Sequence, residues 1–263
     1  MPKLSVSTMI YLGLPPSKAI ERIASRGFRA LELSYSNFLA SGTREFSELG
    51  RVADTASSYS LEAFSVHLPY DRYGTDELSL ASTTSRFYRW VRALDKLSVN
   101  FYVVHLPSFP PTEKFIQVAA KFVDSIASSV SGGSWVLVEN TTDVPHVGSS
   151  VSGIASVLER ANSLSVGVCV DVGHALITRT PLEDFRARLG GLVKAVHIHD
   201  NDGFSDTHLL PGRGILRLSD LVEFVASAKP PYAVAEVACG RLSECDFLLN
   251  GVRELRSVLG SFT

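Results

Sequence analysis

The chain has 263 residues, of which 45% are hydrophobic and 20% are charged. This length and composition fit one large domain or two small ones, and they exclude an intrinsically disordered chain. The formal net charge of -2 gives no support to a broad nucleic-acid-binding surface, although it is compatible with a local basic groove. No linker or shift in composition divides the chain, so we predict one domain over residues 1–263.

The sequence predicts a cytoplasmic protein. No basic segment followed by a long apolar stretch begins the chain, so we expect no signal peptide. No apolar run approaches the roughly 20 residues that a membrane span needs, so we expect no membrane partner. The three cysteines, Cys169, Cys239 and Cys245, are odd in number and have no CxxC spacing. We therefore expect reduced thiols, with Cys169 filling space in a buried strand.

Strand-like and helix-like segments alternate along the whole chain. Apolar runs predict strands at 3–8, 29–33, 61–67, 101–105, 135–139, 166–171, 193–199 and 232–237. Longer segments predict helices at 15–25, 43–59, 82–97, 112–130, 149–163, 181–189, 219–228 and 243–259. This alternation predicts a (β/α)8 TIM barrel. A doubly wound open sheet is the alternative, but no Gly-rich phosphate-binding turn follows the first strand.

Most predicted strands have a histidine or a carboxylate at their last residue or within two residues of it. These residues are His67, His105, Glu139, Asp171, His197 and Glu236. In a TIM barrel all strands end at one mouth, so these side chains would converge there. Several carboxylates in one small volume repel one another unless a cation or shared protons intervene. Because imidazole and carboxylate together suit Zn²⁺, Mn²⁺ and related ions, we predict a divalent-metal site.

Other polar residues beside these strand ends have two interpretations each. They are His174, His199, Asp200, Asp206 and His208. Asp171 can cap a helix that contains His174 instead of binding metal. His199 and Asp200 can hold the ligand side chains in position without binding the ion themselves. Asp206 and His208 can belong to a solvated loop. His146, beside a proline, is expected at the surface.

The motifs Glu139, Asp171-x-x-His174, His197-x-x-Asp200, Asp206-x-His208 and Glu236, on eight strand–helix units, resemble those of the xylose-isomerase-like TIM-barrel superfamily. The resemblance extends from His67 to Glu236. Two branches of the superfamily are relevant. One contains isomerases and epimerases of sugars and sugar phosphates, and the other is the endonuclease IV family of abasic-site DNA repair enzymes.

Resemblance to the first branch implies one divalent ion (zinc, manganese, magnesium or cobalt) held by Glu139, Asp171, His197 and Glu236. The two glutamates would act as a catalytic acid/base pair that moves a proton through a metal-stabilised enediolate. His174 would then bind substrate. We rank this function first: a metal-dependent isomerase or epimerase of a small sugar or sugar phosphate.

Resemblance to the second branch implies three zinc ions and a DNA partner. Its nine ligands have counterparts here in His67, His105, Glu139, Asp171, His174, His197, Asp206, His208 and Glu236. Tyr70 also matches a residue that this branch uses. However, the segment after Glu139 is not Gly-rich, and the loop after Leu33 carries no basic residue for DNA phosphates. The nuclease is therefore the second hypothesis.

Four residues are candidates for contact with the substrate: Tyr70, His174, His199 and Arg213. Arg213 stands where both branches usually have Glu, and its guanidinium suits a carboxylate or phosphate. A solvated loop arginine is the alternative. A third function, metal-dependent sugar binding without turnover, is disfavoured by the presence of both glutamates. Barrels of this kind often form homodimers, but the sequence shows no interface.

Overall fold

The computed structural model describes residues 1–71 and 77–260, with the backbone alone at 77 and 78. Eight parallel strands pair in sequence order and close into a barrel. They are β1 (Lys3–Ser7), β2 (Ala30–Leu33), β3 (Ala63–His67), β4 (Val99–His105), β5 (Trp135–Glu139), β6 (Val166–Asp171), β7 (Val193–Ile198) and β8 (Tyr232–Ala235). The predicted TIM barrel is confirmed, and β5 and β6 have the predicted bounds.

Helices surround the barrel. They are α1 (Pro16–Ser25), α2 (Ser36–Ser41), α3 (Glu45–Ser58), α4 (Glu77–Ala93), α5 (Glu113–Ala127), α6 (Val151–Arg160), α7 (Val172–Ile177), α8 (Leu182–Leu189), α9 (Leu218–Ala228) and α10 (Cys245–Gly260). Short 3₁₀ helices lie at Thr8–Tyr11, Val147–Ser149 and Gly190–Leu192. The sequence did not predict α2 or α7, which are too short to show helical periodicity. Within the part of the chain that the structure describes, no helix is long and apolar enough to cross a membrane.

The strand side chains that face the helices and those that face the barrel interior form separate cores. A small interior cluster contains Phe101, Val103, Leu137, Cys169, Ala195 and Val234, with Trp135 and Tyr232 packed against it. Side chains alternate along a strand, so the residues two positions beyond Val103, Leu137, Cys169, Ala195 and Val234 also face inward, and all five are polar. On β5, for example, Leu137 belongs to this apolar cluster and Glu139 lies above it. The polar site therefore lies directly above the apolar interior cluster.

The interior beside β1, β2 and β3 is different, because small polar residues face it. Glu32 pairs in register with Ser7 on one side and with Ser65 on the other. All three residues are buried, and Glu32 has no solvent-exposed surface. This part of the barrel therefore contains a carboxylate below its mouth.

Two predictions about individual side chains are wrong. Cys169 is buried as expected, but Cys239 and Cys245 form a disulfide across six residues, so these two are not reduced thiols in this structure. Their Cα atoms are 5.3 Å apart because the chain turns between β8 and α10. His146 is half-buried rather than at the surface, since the 3₁₀ helix after it is tied to the Phe109 carbonyl oxygen by Val147 N–H.

Candidate metal centre

Four buried residues at the mouth of the barrel converge on one point. Glu139 and Asp171 end β5 and β6, His197 lies one residue before the end of β7, and Glu236 directly follows β8. Each offers a ligand atom, and these atoms all lie within 4.8 Å of one another. His197 Nδ1 is 3.0 Å from a Glu139 oxygen, 3.3 Å from a Glu236 oxygen and 3.8 Å from an Asp171 oxygen. Three carboxylates and one imidazole at this spacing could hold a divalent metal ion.

The two oxygens of Glu139 face two different sets of histidines. Oε1 faces His197, whereas Oε2 lies 2.9 Å from His67 Nε2 and 3.0 Å from His105 Nε2. Burial disfavours the charged form of Glu139, but these three histidines outweigh that effect and hold the pKa of its carboxyl group well below the usual value. A carboxylate with this geometry can bridge two metal positions.

A third group lies beside the first two and involves Asp206. One Asp206 oxygen is 3.2 Å from His174 Nε2 and 3.1 Å from His208 Nε2. The pKa of Asp206 is lowered, because these two histidines outweigh its partial burial. Asp206 is the most exposed member of the cluster, so this group faces the solvent at the mouth of the barrel.

Three histidines hold their rings in the same way, and this orientation tests whether a metal fits. The Nδ1 atoms of His67, His174 and His208 lie 2.8–3.0 Å from the carbonyl oxygens of Leu68, Asn140 and Glu236. A carbonyl oxygen only accepts, so each Nδ1 carries a proton and donates it. Each Nε2 then points at a carboxylate. In a neutral ring this Nε2 carries a lone pair, and the carboxylate also only accepts, so a cation between the two atoms is needed to satisfy both. This is the usual orientation of metal-binding histidines.

Without such a cation, protons are the available positive charges in the cluster. Burial alone would lower the pKa of a histidine, but Asp206 and Glu236 outweigh it and raise the pKa of His208 to about 9. Burial would raise the pKa of Glu236, but His197 outweighs it and lowers the value to about 2. In His105, burial is the larger effect, and it lowers the pKa. Metal and protons would therefore compete for the same atoms.

Besides His174, two more of the four predicted substrate-contacting residues have fixed positions at the cluster. The Tyr70 ring stacks on His105 with centroids 5.2 Å apart, and its hydroxyl oxygen is 2.8 Å from the Ser36 hydroxyl oxygen. His199 is fully buried behind Asp171, with Nε2 at 3.0 and 3.1 Å from its two carboxylate oxygens. A side chain at Gly173 would collide with the His199 ring, so glycine makes this placement feasible. His199 therefore contacts a ligand candidate and is shielded from the solvent.

Asp200 organises the loop that follows β7. Its carboxylate accepts hydrogen bonds of 2.8–2.9 Å from the backbone N–H groups of Asn201, Gly212, Gly214 and Leu216. A Cβ atom at Gly214 would lie 2.1 Å from the Asn201 carbonyl oxygen, which no side chain permits. Asp200 thus has a structural role, and it folds the loop that carries the exposed Arg213 against the end of β7.

Sequence reasoning missed Glu32. Its carboxylate lies on the side of His197 opposite Glu139, with His197 Nε2 3.2 Å from Oε1. The Ser65 hydroxyl donates to Oε2 over 3.0 Å. The available signal was an acidic residue inside the apolar run of β2, since a carboxylate buried in a strand needs a partner.

Comparison with known proteins agrees with this architecture. The profile of the xylose isomerase-like TIM barrel family matches residues 20–247. The uncharacterized protein MJ1311 of Methanocaldococcus jannaschii is 24% identical over 242 residues, which cover 84% of this chain and 78% of that protein.

Solved structures show the same fold at low identity. A D-psicose 3-epimerase structure determined in the presence of D-fructose has a TM-score of 0.76 at 15% identity and covers 98% of this chain and 99% of its own. The 3-keto-D-glucoside 4-epimerase of E. coli has a TM-score of 0.74 at 16% identity, and the match covers 98% of this chain and 100% of that chain. An IolI protein with a bound zinc atom has a TM-score of 0.76 at 14% identity, and the match covers 99% of both chains. By its fold and its profile match, this chain belongs to the xylose isomerase-like TIM barrel family.

Proposed function

We propose that this protein is a divalent-metal-dependent isomerase or epimerase of a small sugar or sugar phosphate. The observation that carries the proposal is the convergence of Glu139, Asp171, His197 and Glu236, whose ligand atoms lie within 4.8 Å of one another at the mouth of the barrel. Two solved structures with the same fold are named as sugar epimerases, which supports a sugar substrate. One ion in this group is sufficient for the proposed reaction.

The two glutamates would divide the proton transfer between them. Glu139 and Glu236 extend from β5 and β8, and His197 Nδ1 lies 3.0 and 3.3 Å from their nearest oxygens. A bound divalent ion would polarise the substrate oxygens and stabilise the negative charge that develops on them. One glutamate would take a proton from the carbon beside the carbonyl group, and the other would return a proton to the opposite face or to the neighbouring carbon.

Deuterium exchange tests this function directly. The metal-loaded protein is incubated in heavy water with a panel of ketoses, aldoses and their phosphates, and NMR detects deuterium at the carbon beside the carbonyl group. We expect exchange into at least one sugar, and a loss of about 10²- to 10⁴-fold in Glu139→Gln and Glu236→Gln. The matched control is Glu183→Gln, because Glu183 is exposed on α8 and pairs only with Arg186 among the described residues.

Two results would count against the isomerase. One is binding of a sugar without exchange, which would indicate a non-catalytic sugar-binding protein. The other is exchange that survives both glutamine substitutions at the rate of the control.

A three-zinc phosphodiesterase is the second candidate, and a specific observation favours it. The nine residues that resemble the nuclease ligands lie in three adjoining groups, in which Glu139 and Asp206 each face two histidines or more. Elemental analysis of protein purified without chelator distinguishes the candidates. About three zinc ions per chain, with cleavage of abasic DNA and salt-dependent DNA affinity, would favour the nuclease. About one ion per chain would favour the isomerase.

A further inference from the structure

His197 lies between two carboxylates that come from opposite sides of the barrel interior. Its Nδ1 faces the proposed metal centre, and its Nε2 faces Glu32 at 3.2 and 3.4 Å from the two carboxylate oxygens. Neither His197 nor Glu32 has solvent-exposed surface. The Ser65 hydroxyl, on the neighbouring strand β3, holds one oxygen of Glu32.

The two ring nitrogens of a neutral histidine have different roles, because one donates and the other accepts. The Ser65 hydroxyl donates to one oxygen of Glu32, so the carboxyl group is an acceptor there. As an acceptor toward Nε2, it selects the form of His197 with its proton on Nε2. The lone pair of Nδ1 then points at Glu139 and the proposed ion.

His197 is held through Nε2, whereas three other described histidines of the site are held through Nδ1, which donates to a backbone carbonyl. His67, His174 and His208 use Nδ1 for orientation and present Nε2 to the centre. His197 presents Nδ1 instead, and its orientation depends on a side chain rather than on the backbone. A single substitution can therefore remove this support without changing the path of the main chain.

We propose that Glu32 is a positioning residue for the metal centre: it fixes the ring of His197 so that Nδ1 is directed at the ion. This inference rests on the proposed metal-dependent function. Burial of a carboxylate without a full set of partners is costly, so a buried Glu32 needs a role that its partners explain. If Glu32 had only a structural role, its loss would change stability and leave metal binding unaltered.

The test measures metal affinity in a set of variants by competition with a chelator, using Zn²⁺ and Mn²⁺ alone as probes. We expect Glu32→Gln to bind metal about 10- to 100-fold more weakly than the wild type, as loss of such support usually does. The matched control is Glu48→Gln. Glu48 is also a buried carboxylate held by a serine, Ser17, but it lies on α3, outside the barrel interior. We expect Glu48→Gln to lower the melting temperature and leave metal affinity unchanged.

A spectroscopic measurement separates positioning from a general structural effect. In the metal-loaded wild type, ¹⁵N NMR of the imidazole groups should show His197 with its proton on Nε2 and a downfield Nε2–H signal, assigned by its loss in His197→Gln. In Glu32→Gln that signal should move upfield, because an amide oxygen is a weaker acceptor than a carboxylate. The corresponding signals of His67 and His174 should stay in place.

The outcomes distinguish this inference from the proposed function. Unchanged metal affinity and unchanged His197 signals in Glu32→Gln would overturn the inference, while exchange of sugar protons would still support the isomerase. Weaker metal binding in Glu32→Gln, with no sugar exchange by the wild type, would support the role of Glu32 and remove the isomerase. A wild type that takes up no metal would overturn both.

Discussion

At the scale of single residues, the candidate site is defined by which nitrogen of each histidine is already used in a hydrogen bond to the protein. His67, His174 and His208 each donate Nδ1–H to a backbone carbonyl, so each must direct Nε2 at a carboxylate. Such an arrangement needs a proton or a metal ion on every Nε2. The charge state of the metal-free protein is therefore linked to its stability.

His208 makes this linkage measurable. Its pKa in the folded chain is about 9 instead of 6.5, because Asp206 and Glu236 outweigh burial. A raised pKa stabilises the folded state below pH 6.5, and this contribution is lost as the pH rises through 9. We expect the metal-free wild type to lose stability over this range, by an amount on the order of 3 kcal/mol. Urea unfolding at several pH values in the presence of chelator measures it.

The appropriate comparison is His208→Asn, because asparagine tolerates the left-handed backbone of this position, where φ is 47°. The difference in unfolding free energy between wild type and variant should shrink from pH 6.5 to pH 9. A difference that stays constant with pH would contradict the assignment.

Individual residues also show the limits of sequence reasoning. The strand-end pattern identified six candidate ligands, and the family resemblance implied three more. The structure brings all nine into one cluster, and their role as ligands stays a prediction. Glu32 was missed because an acidic residue in an apolar run carries no indication of its partner. That partner, His197, is 165 positions away along the chain.

At the scale of structural elements, the loops after the strands decide what surrounds the site. The loop after β7 is held by one buried side chain, Asp200, which accepts four backbone hydrogen bonds. This loop carries Asp206, His208 and Arg213, so its conformation sets the positions of two candidate ligands and one candidate substrate contact.

Gly214→Ala tests the importance of this loop. The added Cβ would lie 2.1 Å from the Asn201 carbonyl oxygen and 2.4 Å from an Asp200 oxygen, so the loop must move. We expect a loss of unfolding free energy of about 1–3 kcal/mol, as for other overpacked sites, together with weaker metal binding. Thermal and urea unfolding measure the first effect, and chelator competition measures the second.

Gly191→Ala is the matched control, since a Cβ atom there meets nothing within 4 Å. It should leave both measurements close to the wild-type values. A Gly214→Ala protein that behaves like this control would show that Asp200 does not hold the loop as tightly as the hydrogen bonds indicate.

At the scale of the whole molecule, the proposed ion would connect strands on distant parts of the barrel. Glu139, Asp171 and Glu236 come from β5, β6 and the end of β8, and without a cation the described groups that balance their charges are protonated histidines. Metal removal should therefore destabilise the entire fold rather than one loop. A free metal concentration of about 100 times Kd adds about 2.7 kcal/mol to the stability of the folded state.

We expect chelator treatment to lower the melting temperature, and addition of Zn²⁺ or Mn²⁺ to restore it by about 5–10 °C at that saturation. Calorimetry at several metal concentrations is the measurement. In Asp171→Asn the same additions should have a much smaller effect, because one of the four converging ligands is lost. Identical melting temperatures with chelator and with excess metal in the wild type would argue against a metal centre.

The sequence by itself determined the barrel and the general place of the site. Eight apolar runs separated by helices favoured a closed parallel barrel over a doubly wound open sheet, and the parallel strands of a barrel all end at the same mouth. Residues such as Glu139 and Asp171 could therefore be placed at that mouth from their position in a run alone.

Only the tertiary structure decided which of these residues face one another. The orientation of the two Glu139 oxygens toward different histidines and the pairing of Glu32 with His197 depend on strand register. The Cys239–Cys245 disulfide depends on the path of a loop. The first two features are set by packing between segments that are far apart in the chain, which local sequence patterns do not encode. The orientation of each imidazole is likewise decided by the hydrogen-bond acceptor that the fold places beside it.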